Sequence, residues 1–265
     1  MPVAKANPQP AQNLRAREFI GLLAPVAALT SVAAVVAAVL APADALQGQW
    51  QRLMYLHVPL AWLAYLCFTL VLGAGLAHLR HPSGASTRWG RAAAEVGVAS
   101  TATTLAVGSL WGRGVWGVWW TWDARLVSTA VMLMVYVGYL GLHHLSGDPV
   151  AVARRAAVVG CAGFVVVPVV HFSVTWWTTL HQQATLLGPP TSAPPIDPRM
   201  ALALLLSVLA VTSVGLAVLL WRVDLLTRRA RRRPAAVLSD ADTMTRAPLP
   251  RVRADDPRSD VVDLR

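Results

Sequence analysis

The chain has 265 residues, of which 55% are hydrophobic and 14% charged, with a mean hydropathy of +0.51 and a formal charge of +10. So apolar a composition excludes an ordinary soluble domain and places the bulk of the chain in a bilayer. The excess charge does not form a nucleic-acid surface, because it is confined to particular loops and to the C-terminal tail.

Residues 1–18 are a polar, Pro-rich segment. Six apolar runs follow, at 19–41, 55–79, 92–110, 126–145, 156–175 and 200–223. Each approaches the roughly 20 residues that cross the hydrocarbon core as a helix. Backbone groups in lipid must be satisfied within the segment, so each run is predicted helical. The first run is long and follows a Pro-rich polar start, with no persuasive cleavage site after it, and is therefore read as a span and not as a leader. The expected fold class is an all-α membrane protein, a bundle of six transmembrane helices over 19–223. Residues 224–265, rich in Arg, Asp and Pro, are expected to be a basic, disordered tail.

Of 23 Lys and Arg, 19 fall before the first span, in the loops after the second and fourth, or from Arg222 at the inner end of the sixth span onward. Arg52, Arg113, Arg125 and Arg199 are the other four. This bias sets the expected orientation as N-in and C-in, and makes RRARRR, residues 228–233, an anchor to anionic lipid. Cys67 and Cys161 each lie within a predicted span and have no CxxC partner, so they read as small core residues. Glu95, costly in lipid, has Arg91 one turn away as a partner. No Walker A, GxSxG or HExxH pattern occurs.

The third and fourth spans are joined on the outer side by WGRGVWGVWWTWDAR, residues 111–125. An interfacial aromatic belt accounts for one or two Trp per helix end. Here Trp111, Trp116, Trp119, Trp120 and Trp122 stand together, with Gly112, Gly114 and Gly117 thinning the surface between them. Glycines let a flat object approach the backbone, and indoles offer broad, rigid apolar area. If 117–127 is a short helix, Trp119 lies over Asp123, which then orients an indole N–H or pairs with Arg125. Such a surface suits a large, flat, apolar ligand with an anionic edge, and haem has that chemistry.

The histidines sort by depth. His78, His81, His143 and His144 lie at inner helix ends among cytoplasmic charges and read as interfacial. His57 lies at the outer mouth of the second span, His171 near the outer end of the fifth, and His181 beyond it. Two neutral imidazoles from separate segments are able to hold haem iron without a covalent link. Arg52 and Arg125, unusual as outer cations, either pair with propionates or snorkel to the interface.

Three ordered blocks resemble a known family: QRLMYLHVPLAW (51–62), WGRGVWGVWWTWDARLVS (111–128) and FSVTWWTTLHQ (172–182). The family is the haem-handling protein C of cytochrome c maturation, or haem exporter protein C, within the WWD-domain superfamily. The resemblance spans about 52–223. Larger superfamily members continue WWxWDP where this chain reads WDARLVS, and length and span number also favour the C protein.

The resemblance implies His57 and His181 as axial ligands. It implies Trp116, Trp119, Trp120, Trp122 and Asp123, with Trp111 beside them, as the haem platform, and Arg52 and Arg125 as further haem-interacting positions. His171 is a reserve ligand. It further implies that haem b is a transient cargo, presented at the outer face of a bacterial cytoplasmic membrane and passed to a membrane-anchored haem chaperone. The implied partners are an ABC-type ATPase and permease and a small single-span subunit, which would supply the energy this chain has no nucleotide site to supply. The result is a transfer protein more than an enzyme. Two other classes compete: a bis-His electron-transfer cytochrome, and a structural subunit of the assembly complex with no haem of its own. The Pro-rich stretch GPPTSAPPIDP, 188–198, reads as a stiff outer spacer.

Overall fold

The computed structural model describes the backbone of residues 9–181 and 196–246, and the side chains of 21–181 and 196–232. Most of the Pro-rich spacer lies outside the described residues. Among those described, the regular elements are helices: α1 (Gln9–Leu40), α2 (Met54–Arg80), α3 (Gly84–Trp116), α4 (Ala124–Leu142), α5 (Pro149–Gly163), α6 (Val166–Trp176) and α7 (Pro198–Arg246). A 3-10 turn, Gln49–Leu53, leads into α2. The chain is an all-α membrane protein. Five stretches are long and apolar enough to cross a bilayer: Gly21–Leu40, Gln49–Arg80, Ala124–Leu142, Pro149–Trp176 and Pro198–Arg232.

The third predicted span lies within α3, which has the length but not the apolarity. Its composition has a packing reason. Ala92, Ala93, Ala94, Gly97, Ser100, Thr101 and Thr104 are buried, and small residues let helix backbones approach closely. A Cβ at Gly97 would stand 2.6 Å from Phe68 of α2. Two of its hydroxyls are satisfied on their own helix, Thr101 Oγ1 donating to Gly97 O at 2.8 Å and Thr103 Oγ1 to Ala99 O at 2.9 Å.

The fifth predicted span, 156–175, is divided between α5 and α6. Pro168 has no N–H to give and its ring would clash with the carbonyl four residues back, that of Phe164. The chain tightens there: Val165 N donates to Ala162 O and Val167 N to Phe164 O. The helix starts carry the expected signals. Ser83 accepts from Ser86 N, Asp148 from Val150 N and Ala151 N ahead of Pro149, and Asp123 from Arg125 N.

Residues through Leu226 form one compact unit, and a second begins at Thr227. The core of the first is the contact of α2, α3 and α4. Phe68 and Tyr136, both fully buried, stack with ring centroids 3.6 Å apart. A smaller cluster joins Ala41, Tyr55, Met200 and Leu204 at one end of the unit. In the second unit the backbone is helical as far as Arg246, where the sequence led us to expect disorder from Asp224 onward. Residues 247–265 of that tail lie outside the described part.

Candidate functional site

His57 sits in the first turns of α2. Its Nδ1 lies 3.0 Å from Thr104 O of α3, so a proton on Nδ1 donates there and Nε2 keeps a free electron pair. Gly108, one turn along the same face of α3, makes room for the ring: a Cβ would meet His57 Cε1 at 2.7 Å. Trp111 closes the next turn, edge-on to the imidazole at 5.7 Å, and its Nε1 donates to Gln47 Oε1 at 2.9 Å.

His181 arrives from the segment after α6, and Asp123 fixes that segment. One carboxylate oxygen of Asp123 caps α4 through Arg125 N at 2.9 Å, and the other accepts from Leu180 N at 2.8 Å. Thr179 Oγ1 accepts from His181 N at 3.0 Å. The His181 Nδ1 comes within 3.2 Å of Asp123 Oδ1, but without hydrogen-bond alignment, so this buried nitrogen has no hydrogen-bond partner among the described residues. Trp116 stands edge-on to the imidazole at 5.3 Å. Burial holds the His181 imidazole below its ordinary range, with Asp123 opposing and Arg125 reinforcing the shift.

His57 and His181 line one cavity of about 80 Å³, together with Trp116, Arg125, Tyr65 and Met132. Arg125 is anchored by its Nη2 to His171 O at 3.0 Å and by its Nε to Ser173 Oγ at 3.4 Å. Four of the residues singled out in the sequence are thus brought to one place. The expected side-chain pairing of Arg125 with Asp123 is not what forms; the link is a backbone cap.

The other expected site residues lie elsewhere. Trp119, Trp120 and Trp122 are exposed by 59%, 37% and 85% and do not line the cavity. Residues 117–123 are not helical, which corrects the short helix expected over 117–127: α3 runs on to Trp116, Gly117 ends it at φ +80°, and α4 begins at Ala124. The glycines have a local reason. Gly114 receives the ring of Trp50 and Gly112 that of Trp116, so they accommodate the chain's own indoles. The His171 ring is exposed against Phe172 and Tyr65, and only its carbonyl serves the site. Arg52 lines a separate groove and donates to Ala41 O at 3.3 Å.

Sequence reasoning missed Gln47, Thr104 and Gly108. The last two carry a faint signal, a Thr and a Gly four residues apart on one face of a helix expected to cross lipid.

An all-α membrane protein with two imidazoles from separate elements meeting at one small cavity, beside a Trp-rich connection, is the class that fold and site define. The family model described as heme exporter protein C matches residues 3–237. The chain belongs to that family. It is 37% identical over 230 residues to heme exporter protein C of Bradyrhizobium diazoefficiens strain USDA 110, covering 85% of this chain and 86% of that one. It is 36% identical over 196 residues to heme exporter protein C of Escherichia coli K12, covering 73% and 78%. A putative cytochrome c biosynthesis ccmC-like mitochondrial protein of Marchantia polymorpha is 34% identical over 160 residues, covering 60% and 67%.

Proposed function

We propose that this protein binds haem through His57 and His181, on the outer side of a bacterial cytoplasmic membrane, and hands it to a membrane-anchored haem chaperone during c-type cytochrome biogenesis. The observation that carries the reading is the pair of imidazoles on one cavity. Thr104 O favours the His57 tautomer that leaves Nε2 with its electron pair, and burial favours the neutral form of His181. Family membership and the names of the relatives agree with haem as cargo.

The donor set fits haem iron, which accepts two neutral imidazoles. The cavity, at about 80 Å³, falls below the roughly 300–1,000 Å³ of sites that enclose a small organic ligand. Loading therefore requires the Leu180–His181 segment to swing away from Asp123, which breaks the hydrogen bond from Leu180 N. Arg125, held at the rim by His171 O and Ser173, offers its remaining guanidinium hydrogens to a propionate.

The exposed Trp119, Trp120 and Trp122 supply the apolar face. Covering them would contribute several kcal/mol at about 25 cal/mol per Å². A cargo held at an open edge is also one that a second protein can reach and remove. Energy for the cycle would come from an ABC-type ATPase and permease acting with a small single-span subunit. On this reading the protein positions haem for another polypeptide's covalent chemistry and performs none itself.

The test is the absorption spectrum of the purified full chain. A haem Soret band is expected in the wild type, weakened at least tenfold in His57→Ala and in His181→Ala, and restored in each by excess imidazole. A wild type that takes up no haem even with the chaperone present would leave the chain a structural subunit.

A further inference from the structure

A groove of about 820 Å³, some ten times the volume of the histidine cavity, runs between α1, α2, α3 and α7. Its walls are almost wholly aliphatic, with Ala38, Leu60, Ala99 and Val214 among them. It is a different site from the histidine cavity. On α2 it takes Leu56, Leu60 and Leu63 while the cavity takes His57, Ala61 and Ala64, and α3 divides in the same manner. The paired helices α2 and α3 therefore stand between the two.

The ends of the groove differ. At one end Glu95 is satisfied by Arg91 of its own helix, at 3.1 Å, and by Arg222 of α7. That end asks for no further charge. At the other end is Arg52, in the turn that leads into α2. Its Nη2 donates to Ala41 O, but its Nε is buried with no acceptor among the described residues. A buried guanidinium N–H with no partner is costly, and the acceptor it suits best is an anionic oxygen. Trp50, half-exposed two residues away, is the aromatic expected at headgroup depth.

We propose that this groove binds one membrane glycerophospholipid, with its phosphate at Arg52 and its acyl chains lying along α1 and α7. Charge and length both select this occupant. From Ser207 to Arg222 the α7 wall is about 22 Å long at 1.5 Å per residue. One leaflet's share of the hydrocarbon core is about 15 Å, so whole chains fit lengthwise. A wholly apolar partner helix would leave the Arg52 N–H unanswered. The lipid also explains how α1, exposed along most of its length, is held against the rest: the chains fill the space that its side chains leave. The inference does not depend on the haem reading.

Native mass spectrometry of the full chain in mild detergent tests it. The wild type should retain one phospholipid per chain. After delipidation it should take up phosphatidylglycerol at least tenfold better than the diacylglycerol with the same chains, which lacks the phosphate. Arg52→Gln should abolish that preference. Ala99→Phe, which puts a ring into the groove at an exposed position and leaves Arg52 intact, should lower retention of both lipids at least fivefold. Size-exclusion and helical circular dichroism confirm that each variant is folded. Equal uptake of the two lipids by the wild type overturns the proposal, as does retention of detergent alone. So does haem that binds the His57→Ala/His181→Ala chain and is displaced by Ala99→Phe, since the groove would then be a haem site.

Discussion

At the scale of single residues, the histidine site is governed by what surrounds each imidazole. His57 depends on Gly108. Adding a methyl there places a Cβ 2.7 Å from Cε1 and 3.1 Å from Nδ1, so the ring must leave Thr104 O. Gly108→Ala should cost about 1–3 kcal/mol of stability as an overpacked position and weaken haem uptake at least tenfold in a folded chain. Uptake at the wild-type level would show that the Thr104 bond does not orient the ligand. His181 makes a prediction about pH. Iron ligation requires the neutral ring, and burial lowers the pKa from the ordinary 6.5. Haem should therefore stay ligated as the pH falls through about 6.5 and be lost only below it. The Asp123 carboxylate favours the charged ring, so Asp123→Asn should move that acid loss to still lower pH. A shift upward would contradict the assignment.

At the scale of elements, the small residues of α3 decide how the site is assembled. The sequence placed His57, His171 and His181 on the outer side, and only the family resemblance singled out His57 and His181, the two that line one cavity. The roles of the glycines were not legible in it. Gly114 reads as room for a ligand but receives Trp50. Gly114→Val should therefore destabilise the turn before α2 by about 1–3 kcal/mol, and Trp50→Ala in the same chain should recover part of that loss, as read from thermal unfolding. A haem defect with unchanged stability would return Gly114 to the binding surface. At the other end of α3, Glu95 was expected to pair with Arg91 and does, but it also joins α7 through Arg222. Glu95→Gln leaves two partly buried guanidiniums without their carboxylate. It should cost about 1–3 kcal/mol, between the values for surface pairs and for fully buried ones.

For the whole molecule, the distribution of Lys and Arg predicts an orientation in the bilayer, with the Trp-rich connection outside. In a background lacking Cys67 and Cys161, a cysteine at Trp122 should react with a membrane-impermeant thiol reagent added outside intact cells. A cysteine at Arg88 should react only after the membrane is opened. The reverse pattern would place the Trp-rich connection inside and remove the basis for an outer haem site.

The sequence by itself determined the class of molecule, because crossing a bilayer imposes length and apolarity on each segment and nothing distant is needed to recognise that. It also determined the family, because the three blocks at 51–62, 111–128 and 172–182 are local patterns. Only the tertiary structure decided which residues share a cavity. Trp116 and Arg125 join the two imidazoles while Trp119, Trp120 and Trp122 stay outside, and Arg52 faces another groove entirely. The reason is geometric: Arg52 lies in the 3-10 turn before α2, so its separation of five residues from His57 does not set which neighbour its side chain will meet. That is settled by how α2 and α3 pack, and their packing by small residues whose meaning depends on the partner pressed against them.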